Sequence, residues 1–138
     1  MTDIQALKEE DFDQATAILK LTNLYYTGIE HERVALYEAA RGFWSTKRNH
    51  QLSGTKLVLV VHDWIVLEVY SVATWIQAGT TMMCFRNEKC GDSERIEFVG
   101  NIAPEKIRAK YRGKSVRNLY KKGDPSPIKC IGFEKKVR

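Results

Sequence analysis

The chain has 138 residues, of which 43% are hydrophobic and 28% charged. This length and composition predict one folded domain, residues 1–138, and exclude a disordered chain. The longest apolar run, LVLVV, is too short to span a bilayer, and the acidic start MTDIQALKEEDFD is not typical of a signal peptide. We therefore expect a cytoplasmic protein that does not contact a membrane.

The cysteine and histidine pattern argues against a disulfide framework and against a metal centre. Cys84, Cys90 and Cys130 are odd in number and lack paired spacing, and the three histidines are scattered. The sequence therefore predicts no structural metal and no cofactor.

Charge is distributed unevenly along a chain whose net charge is +5. Residues 1–38 contain eight acids and three Lys or Arg, which gives −5, whereas residues 106–138 contain twelve Lys or Arg and two acids, which gives +10. A basic C-terminal face of this kind suits phosphate groups. A solvated terminal region that uses Lys for solubility explains the charge equally well.

Apolar spacing predicts helices in an N-terminal part that covers residues 1–45. In residues 4–20 apolar side chains recur at roughly helical intervals, with acids toward the N-terminal half. A second helix is predicted over residues 30–43, where Gly42 is a plausible end signal.

A β-rich core is predicted over residues 55–133. TKLVLVVHD and WIVLEVYSV predict two strands joined by the tight turn HDW. TTMMCFR, RIEFVGNI and PIKCIGFE predict three more strands, and APEKIRAKYRG predicts a short helix between the last two. The fold class is therefore α+β, with a small, strongly bent antiparallel sheet or barrel of about five strands, N-terminal helices and one late helix.

No catalytic motif stands out in the sequence. It contains no P-loop, no G-x-G-x-x-G and no H-E-x-x-H, and Cys84 and Cys90 have no neighbouring His. We assign no catalytic residue, and the sequence favours a protein that is not an enzyme.

One stretch, RGKSVRNLYKKGDPSPI at residues 112–128, contains five Lys and Arg side chains and one acid, Asp124. Backbone amides at a turn or helix start beside Lys114 and Ser115 suit an anion. The alternative is a helix with a basic, solvated face. We favour the anion, because the acids that usually balance such a face are missing.

The aromatic residues suggest a second part of the same site. Trp44, Trp64 and Trp75 fall near the ends of predicted elements, and rings beside a basic surface are what base stacking requires. Aromatic rings of a small domain more often fill its core, but Trp44 and Trp64 are the least easily explained by strand alternation. The predicted ligand-binding residues are Arg41, Lys114, Ser115, Arg117 and Lys122 for phosphate, and Trp44, Tyr70 and Trp75 for the wall of a base pocket.

Three stretches, LYEAARGFW, LVLVVHDWIVLEVYSVATW and RIEFVGNIAPEKIRAKYRGKSVRNLYKKGDPSPI, follow one another over roughly residues 35–131. As a set they resemble a small, largely uncharacterised family of prokaryotic and phage proteins with the motifs LYEATRGxW, REVYxIxxW, WEFVG and KYxGKSV…KKGxxNPI. The chain departs from that pattern at Trp64, where the family has Gly, and at Leu67, where it has Arg. The resemblance implies no particular chemistry. The order of elements is also similar to that of PUA-like barrels, some of which read modified bases, and this fold analogy implies a nucleic-acid ligand.

Three functions remain open at this point. The first is a non-catalytic module that binds nucleic acid or a nucleotide. The second is a small phage-type protein whose acidic N-terminal helix docks on a host or defence protein and inhibits or recruits it. The third is an enzyme acting on a nucleotide or nucleic acid, for which the polar residues that could be nominated are Glu38, Arg41, Glu68 and Ser115.

Overall fold

A computed structural model describes residues 3–21, 32–42, 44–45, 50–82, 95–124 and 126–132. Within these residues the fold is α+β, and a strongly curled, mixed sheet of six strands forms a half-barrel with two α-helices. The strands are β1 (Thr16–Lys20), β2 (Trp44–Ser45), β3 (Leu57–His62), β4 (Ile65–Gln77), β5 (Arg95–Ile102) and β6 (Ile128–Ile131). The α-helices are α1 (Glu32–Arg41) and α2 (Glu105–Tyr111), and short 3-10 helices cover Glu9–Asp11, His50–Gly54 and Arg117–Leu119.

The strand order is β2-β5-β4-β3-β1-β6. The pairs β3–β4, β4–β5, β2–β5 and β1–β6 are antiparallel, whereas β1 runs parallel to β3. The expectation of an antiparallel sheet of about five strands is therefore wrong in two respects, since the sheet is mixed and has six strands in the described part of the chain. Parallel neighbours need a long crossover, and here the connection between β1 and β3 contains α1.

The segment 4–20 does not form the predicted helix. It contains the 3-10 helix Glu9–Asp11 and then strand β1. Ala17, Ile18 and Leu19 are all fully buried, because β1 lies inside the sheet with a core on each face. A short apolar run of this kind is typical of a strand buried on both faces, and periodicity alone does not distinguish it from part of a buried helix.

Most of the other predicted elements agree with the observed helices and strands. Helix α1 lies inside the predicted range 30–43, β5 coincides with RIEFVGNI, and α2 and β6 fall in the segments predicted for them. The strand predicted for TTMMCFR is absent from Thr80, Thr81 and Met82, and the rest of that segment lies outside the described residues.

The sheet separates two hydrophobic cores, because side chains alternate between its faces. In β3, Leu57, Leu59 and Val61 belong to the first core, whereas Val58 and Val60 belong to the second. The first core also contains residues of α2 and of the 3-10 helix Arg117–Leu119, and the second contains residues of α1 and β5.

Gly100 lies where the backbones of β4 and β5 approach each other closely. It pairs with Val72 beside a β-bulge, and a Cβ atom placed on it would lie 2.0 Å from the carbonyl oxygen of Ser71. Its N–H also donates a hydrogen bond of 2.9 Å to the hydroxyl of Tyr37 on α1. A side chain at this position would therefore push two strands apart and disturb the contact with α1.

We expect Gly100→Ala to lower the free energy of unfolding by about 3 kcal/mol, because the added methyl group meets backbone that does not give way. Gly113→Ala is the matched control, since its φ is +79° but nothing lies within 4 Å of the added Cβ. That control should cost only about 1 kcal/mol, the penalty of a left-handed residue. Urea unfolding of both variants measures the difference, and equal losses would contradict this account of Gly100.

Candidate functional site

The predicted aromatic wall lies in the second core. The ring of Tyr70 is 2% exposed, with its centroid 5.3 Å from that of Tyr37 and 5.9 Å from that of Phe98. Trp75 packs edge-on against Phe98, and its Nε1 donates to Thr55 Oγ1 at 3.1 Å. Trp44 packs against the same core, and its Nε1 donates to the carbonyl oxygen of Ala40 at 2.6 Å. The structure thus places all three rings on one face of the sheet, where they contribute to packing.

Arg41 is bound inside the protein. The residue is 7% exposed, its Nη1 lies 3.1 Å from Glu97 Oε2, and its Nη2 donates to the carbonyl oxygen of Met82 at 3.0 Å. Thr81 completes this network through its hydroxyl. Glu97 is fully buried and also accepts a hydrogen bond from the backbone of Gly79. Sequence reasoning missed Glu97, because a Glu between Ile96 and Phe98 has the alternation of an outward-facing residue.

Lys114 and Ser115 lie where residues 112–128 cross the N-terminal segment. Ser115 exchanges backbone hydrogen bonds with Gln5 and Leu7, each 2.8 Å long, and its Oγ accepts a bond from the N–H of Arg117. Its hydroxyl therefore supports the start of the 3-10 helix. Lys114 lines an open cleft of about 370 Å³ together with Gln5, Ala6, Leu7, Lys8, Asp11 and Lys110, whereas Lys122 is exposed in a turn.

A different group of side chains forms the most distinctive surface feature in the described residues. The basic-aromatic cluster consists of Lys20, Trp64, Arg117, Tyr120 and Lys129. The rings of Trp64 and Tyr120 meet edge to face with centroids 5.2 Å apart. Lys20 Nζ lies 4.7 Å from the Trp64 centroid and 4.5 Å from that of Tyr120. Arg117 Cζ lies 5.3 Å from the Trp64 centroid, and Lys129 Nζ lies 5.2 Å from that of Tyr120, so each cation is within cation–π range.

The cluster draws on segments that are distant in the sequence. Lys20 ends β1, and its N–H donates to the carbonyl oxygen of Pro127 at 2.8 Å, just before β6. Trp64 lies in the β3–β4 turn, and its carbonyl oxygen accepts a bond from the N–H of Val116 at 2.8 Å. Of the five residues, the predicted site contained only Arg117, although Trp64 had been singled out as hard to explain by alternation. Sequence gives no signal that joins Lys20 or Lys129 to it.

Among the described residues, the three cations of the cluster have no counter-charge in direct contact. In the part of the chain that the structure describes, no carboxylate oxygen lies within 4.0 Å of a side-chain nitrogen of Lys20, Arg117 or Lys129. Asp124 is an acid that interacts with Lys129 and Lys20 at longer range. Its pKa is lowered mainly by hydrogen bonds from Ser126, with a smaller contribution from those two lysines.

Tyr120 is the most deeply set part of this cluster. Burial, with a further contribution from Asp124, raises the pKa of its phenol above the usual range, so the ring stays neutral at physiological pH. Its hydroxyl oxygen is buried, and no hydrogen-bond partner for it occurs among the described residues. The ring therefore serves as a fixed, neutral surface on which Lys20 and Lys129 rest.

The polar residues nominated for catalysis belong to separate structural contacts. Glu68 is 5% exposed and holds Arg108 in a two-pronged ion pair, with 2.8 Å from Nε to Oε1 and 3.1 Å from Nη2 to Oε2. Arg41 binds Glu97 instead. Burial raises the pKa of Cys130 to about 11, so this thiol is protonated at neutral pH and is a poor nucleophile.

Comparison of the chain with protein-family models, with curated proteins and with solved structures found no match. Among the described helices, none is long and apolar enough to cross a membrane. The described residues also contain no group of three or more His, Cys, Asp or Glu side chains placed to hold a metal ion.

The Glu68–Arg108 pair has a defined pH dependence. Burial by itself raises the pKa of Glu68, but the hydrogen bonds from Arg108 and from the N–H of Val69, with the charge of Arg112, outweigh it and hold the pKa below the ordinary value of 4.5. A carboxyl group whose pKa is lower in the folded state stabilises the fold above the unfolded pKa. That contribution is lost as the pH falls through the folded pKa.

We expect Glu68→Gln to lower the free energy of unfolding by about 3 kcal/mol at pH 7, because it removes the buried, two-pronged carboxylate partner of Arg108 and leaves that guanidinium only the exposed Glu105. The difference from the wild type should hold down to about pH 5 and shrink below pH 4.5, the ordinary pKa of the group. Glu105→Gln is the control, since Glu105 bonds the same Arg108 at 3.2 Å but its side chain is 83% exposed. That change should cost less than about 1 kcal/mol. Urea unfolding between pH 3.5 and 7 measures both, and a Glu68→Gln effect that does not change with pH would refute the assignment.

Proposed function

We propose that this protein is a non-catalytic module that binds nucleic acid or a nucleotide through the basic-aromatic cluster and the basic residues next to it. The observation that carries the proposal is the convergence of Lys20, Arg117 and Lys129 on two aromatic rings, with no carboxylate oxygen of the described residues within 4.0 Å of their side-chain nitrogens.

The charge arrangement supports a phosphate ligand on physical grounds. Three positive charges held on two adjacent rings repel one another, and the rings offset only part of that repulsion. Arg41 and Arg108, by contrast, are neutralised inside the protein by Glu97 and Glu68. A polyanion that meets the cluster removes the repulsion and releases its own bound counterions.

Neighbouring residues extend the same positive surface. Lys121 and Lys122 are exposed in the turn that follows Tyr120. The predicted residues Arg117 and Lys122 therefore belong to the proposed interface, whereas Arg41 and Tyr70 support the fold behind it. Trp44 and Trp75 are half-buried on the second core.

The proposal includes two finer points about ancestry and fold. The curled half-barrel is consistent with a PUA-like barrel, and the motif order is consistent with the prokaryotic and phage family described above. Both are analogies, so they add less weight than the site itself.

The two alternative functions gain no support from a specific contact. The acidic docking helix of the protein-partner hypothesis is replaced by a 3-10 helix and a strand, in which Asp11 accepts a bond from the N–H of Lys8 and Asp13 pairs with Lys110 at 3.7 Å. The residues nominated for an enzyme include Glu68 and Arg41, which are held in separate ion pairs.

The proposal predicts salt-dependent binding. Fluorescein-labelled DNA and RNA 12-mers, single-stranded and duplex, are titrated by fluorescence anisotropy between 50 and 200 mM salt, with unlabelled mononucleotides as competitors. Three phosphate contacts give a log–log slope of about −2 for a single strand, at about −0.7 per contact. Lys20→Gln and Lys129→Gln should each weaken binding and bring the slope about 0.7 closer to zero.

Lys56→Gln is the matched control for these two variants. Lys56 is exposed and directly precedes β3, at the end of that strand opposite to Trp64. Its removal changes the net charge equally but should leave the slope unchanged. An affinity that does not change with salt concentration would exclude the cluster as the phosphate-binding surface. So would an equal loss of affinity in all three variants.

A further inference from the structure

Trp64 occupies a backbone position that suits glycine. His62 pairs with Ile65 across a two-residue hairpin turn, in which φ is +51° at Asp63 and +70° at Trp64. Positive φ at both central residues defines a type I′ turn, for which Asn-Gly and Asp-Gly are the preferred sequences. A bulky residue in the left-handed region is uncommon, because its Cβ approaches the following carbonyl oxygen. Asp63 therefore suits this turn, whereas Trp64 is held in it at a cost.

The left-handed backbone position of Trp64 places its indole in contact with aromatic and cationic side chains. Trp64 is half-buried, packs against the edge of the first core and meets Tyr120 edge to face. Lys20 and Arg117 lie over the ring at 4.7 Å and 5.3 Å from its centroid, and Arg117 is exposed. The exposed part of the indole is thus next to two cationic side chains at the tip of a hairpin. Backbone strain at such a place is a recognised mark of function when other contacts hold the residue there.

We propose that Trp64 is a stacking platform for an unpaired base, so that the ligand of the basic-aromatic cluster is single-stranded nucleic acid. This inference rests on the proposed function and names the class of ligand. The incoming base takes the place of the Arg117 guanidinium over the indole, and the guanidinium moves to a phosphate or stacks on the base. Lys20 and Lys129 bind the phosphates on either side of that nucleotide.

The preference for a single strand follows from the geometry of bases. In a duplex both faces of each base are covered by its neighbours, so a ring at a turn tip has no free π-face to contact. An unpaired base exposes its face, and stacking on an aromatic side chain depends little on which base it is. The cations provide affinity through phosphate in either case, but only the indole distinguishes the single strand.

Three variants at Trp64 separate stacking from strain and from packing. Trp64→Phe keeps an aromatic ring and the same backbone strain. Trp64→Leu keeps the strain and an apolar side chain but removes the π-face. Trp64→Gly removes the side chain and supplies the residue that the turn prefers, so the hairpin should form as well as before. Circular dichroism and thermal melting establish that each variant is folded.

The probes are fluorescein-labelled dT12, rU12 and a 12-base-pair DNA duplex at 100 mM salt. We expect dT12 and rU12 to bind more tightly than the duplex. Trp64→Leu and Trp64→Gly should weaken their binding roughly 5- to 100-fold, the equivalent of one base–aromatic stack. Trp64→Phe should weaken it about threefold or less. In Trp64→Leu and Trp64→Gly the affinity for the duplex should fall by a clearly smaller factor than the affinity for the single strands.

Intrinsic fluorescence gives a second readout in the same titrations. The chain contains three tryptophans, and the other two, Trp44 and Trp75, pack on the second core. Quenching by unlabelled dT12 should therefore be strong in the wild type and largely absent from Trp64→Phe, even where that variant still binds.

The titrations distinguish a failure of the stacking platform from a failure of the proposed function. Salt-dependent binding that treats single strand and duplex alike, and that Trp64→Leu leaves unchanged, would overturn the stacking platform and leave the phosphate-binding module intact. No binding of any probe by the folded wild type would overturn both.

Discussion

The burial of strand β1 on both faces and both edges is the constraint on which the rest of the structure depends. Ile18 belongs to the first core, and Ala17 and Leu19 belong to the second, all with no exposed surface. On one edge β1 pairs in parallel with β3, and on the other it pairs antiparallel with β6. Because Thr16, Ala17, Ile18 and Leu19 are buried and the strand is paired on both edges, β1 connects β3 and β6 in the middle of the fold.

The pairing of these three strands determines where the basic-aromatic cluster can form. Parallel pairing brings the end of β1 to the end of β3, so that Lys20 lies opposite Val61 and close to the hairpin turn with Trp64. Antiparallel pairing brings the start of β6 to the same end of the sheet, which places Lys129 close to Lys20 in the fold. The 3-10 helix with Arg117 completes the group by the backbone bond from Val116 to Trp64. The cluster is therefore a consequence of strand direction, and a purely antiparallel sheet would not assemble it in this way.

The fold contains two kinds of positively charged side chain, those paired with buried carboxylates and those that lie on aromatic rings. Arg41 and Arg108 are paired with the buried carboxylates of Glu97 and Glu68, so these charges stabilise the fold. The cations of the cluster lie on aromatic rings instead. The same residue types in the sequence thus stabilise the fold in one place and form the proposed binding surface in another.

Local sequence pattern indicated one member of the proposed site and drew attention to a second. The basic stretch at residues 112–128 does supply Arg117, and Trp64 stood out because it interrupts a hairpin turn. The wall of Trp44, Tyr70 and Trp75 was predicted from the proximity of the rings to strand ends. In the structure the β-bulge between Val72 and Thr74 shifts the alternation along β4, so that Tyr70 and Trp75, five residues apart, both face the second core. Whether an arginine is free or paired depends on distant acids, which is why Arg41 looked available in the sequence.

The sequence by itself determined the elements whose signals are local. The β3–β4 hairpin, β5, α1, α2 and β6 follow from apolar runs, turn residues and end signals within a few positions of each other. Only the tertiary structure decided that Thr16–Lys20 is a strand, since a short apolar run becomes a strand or a helix according to the partners it finds. It also decided that Lys20, near the start of the chain, meets Tyr120 and Lys129 near its end. The physical reason is that pairing between distant segments is set by the burial of whole strands, and no window of neighbouring residues contains that information.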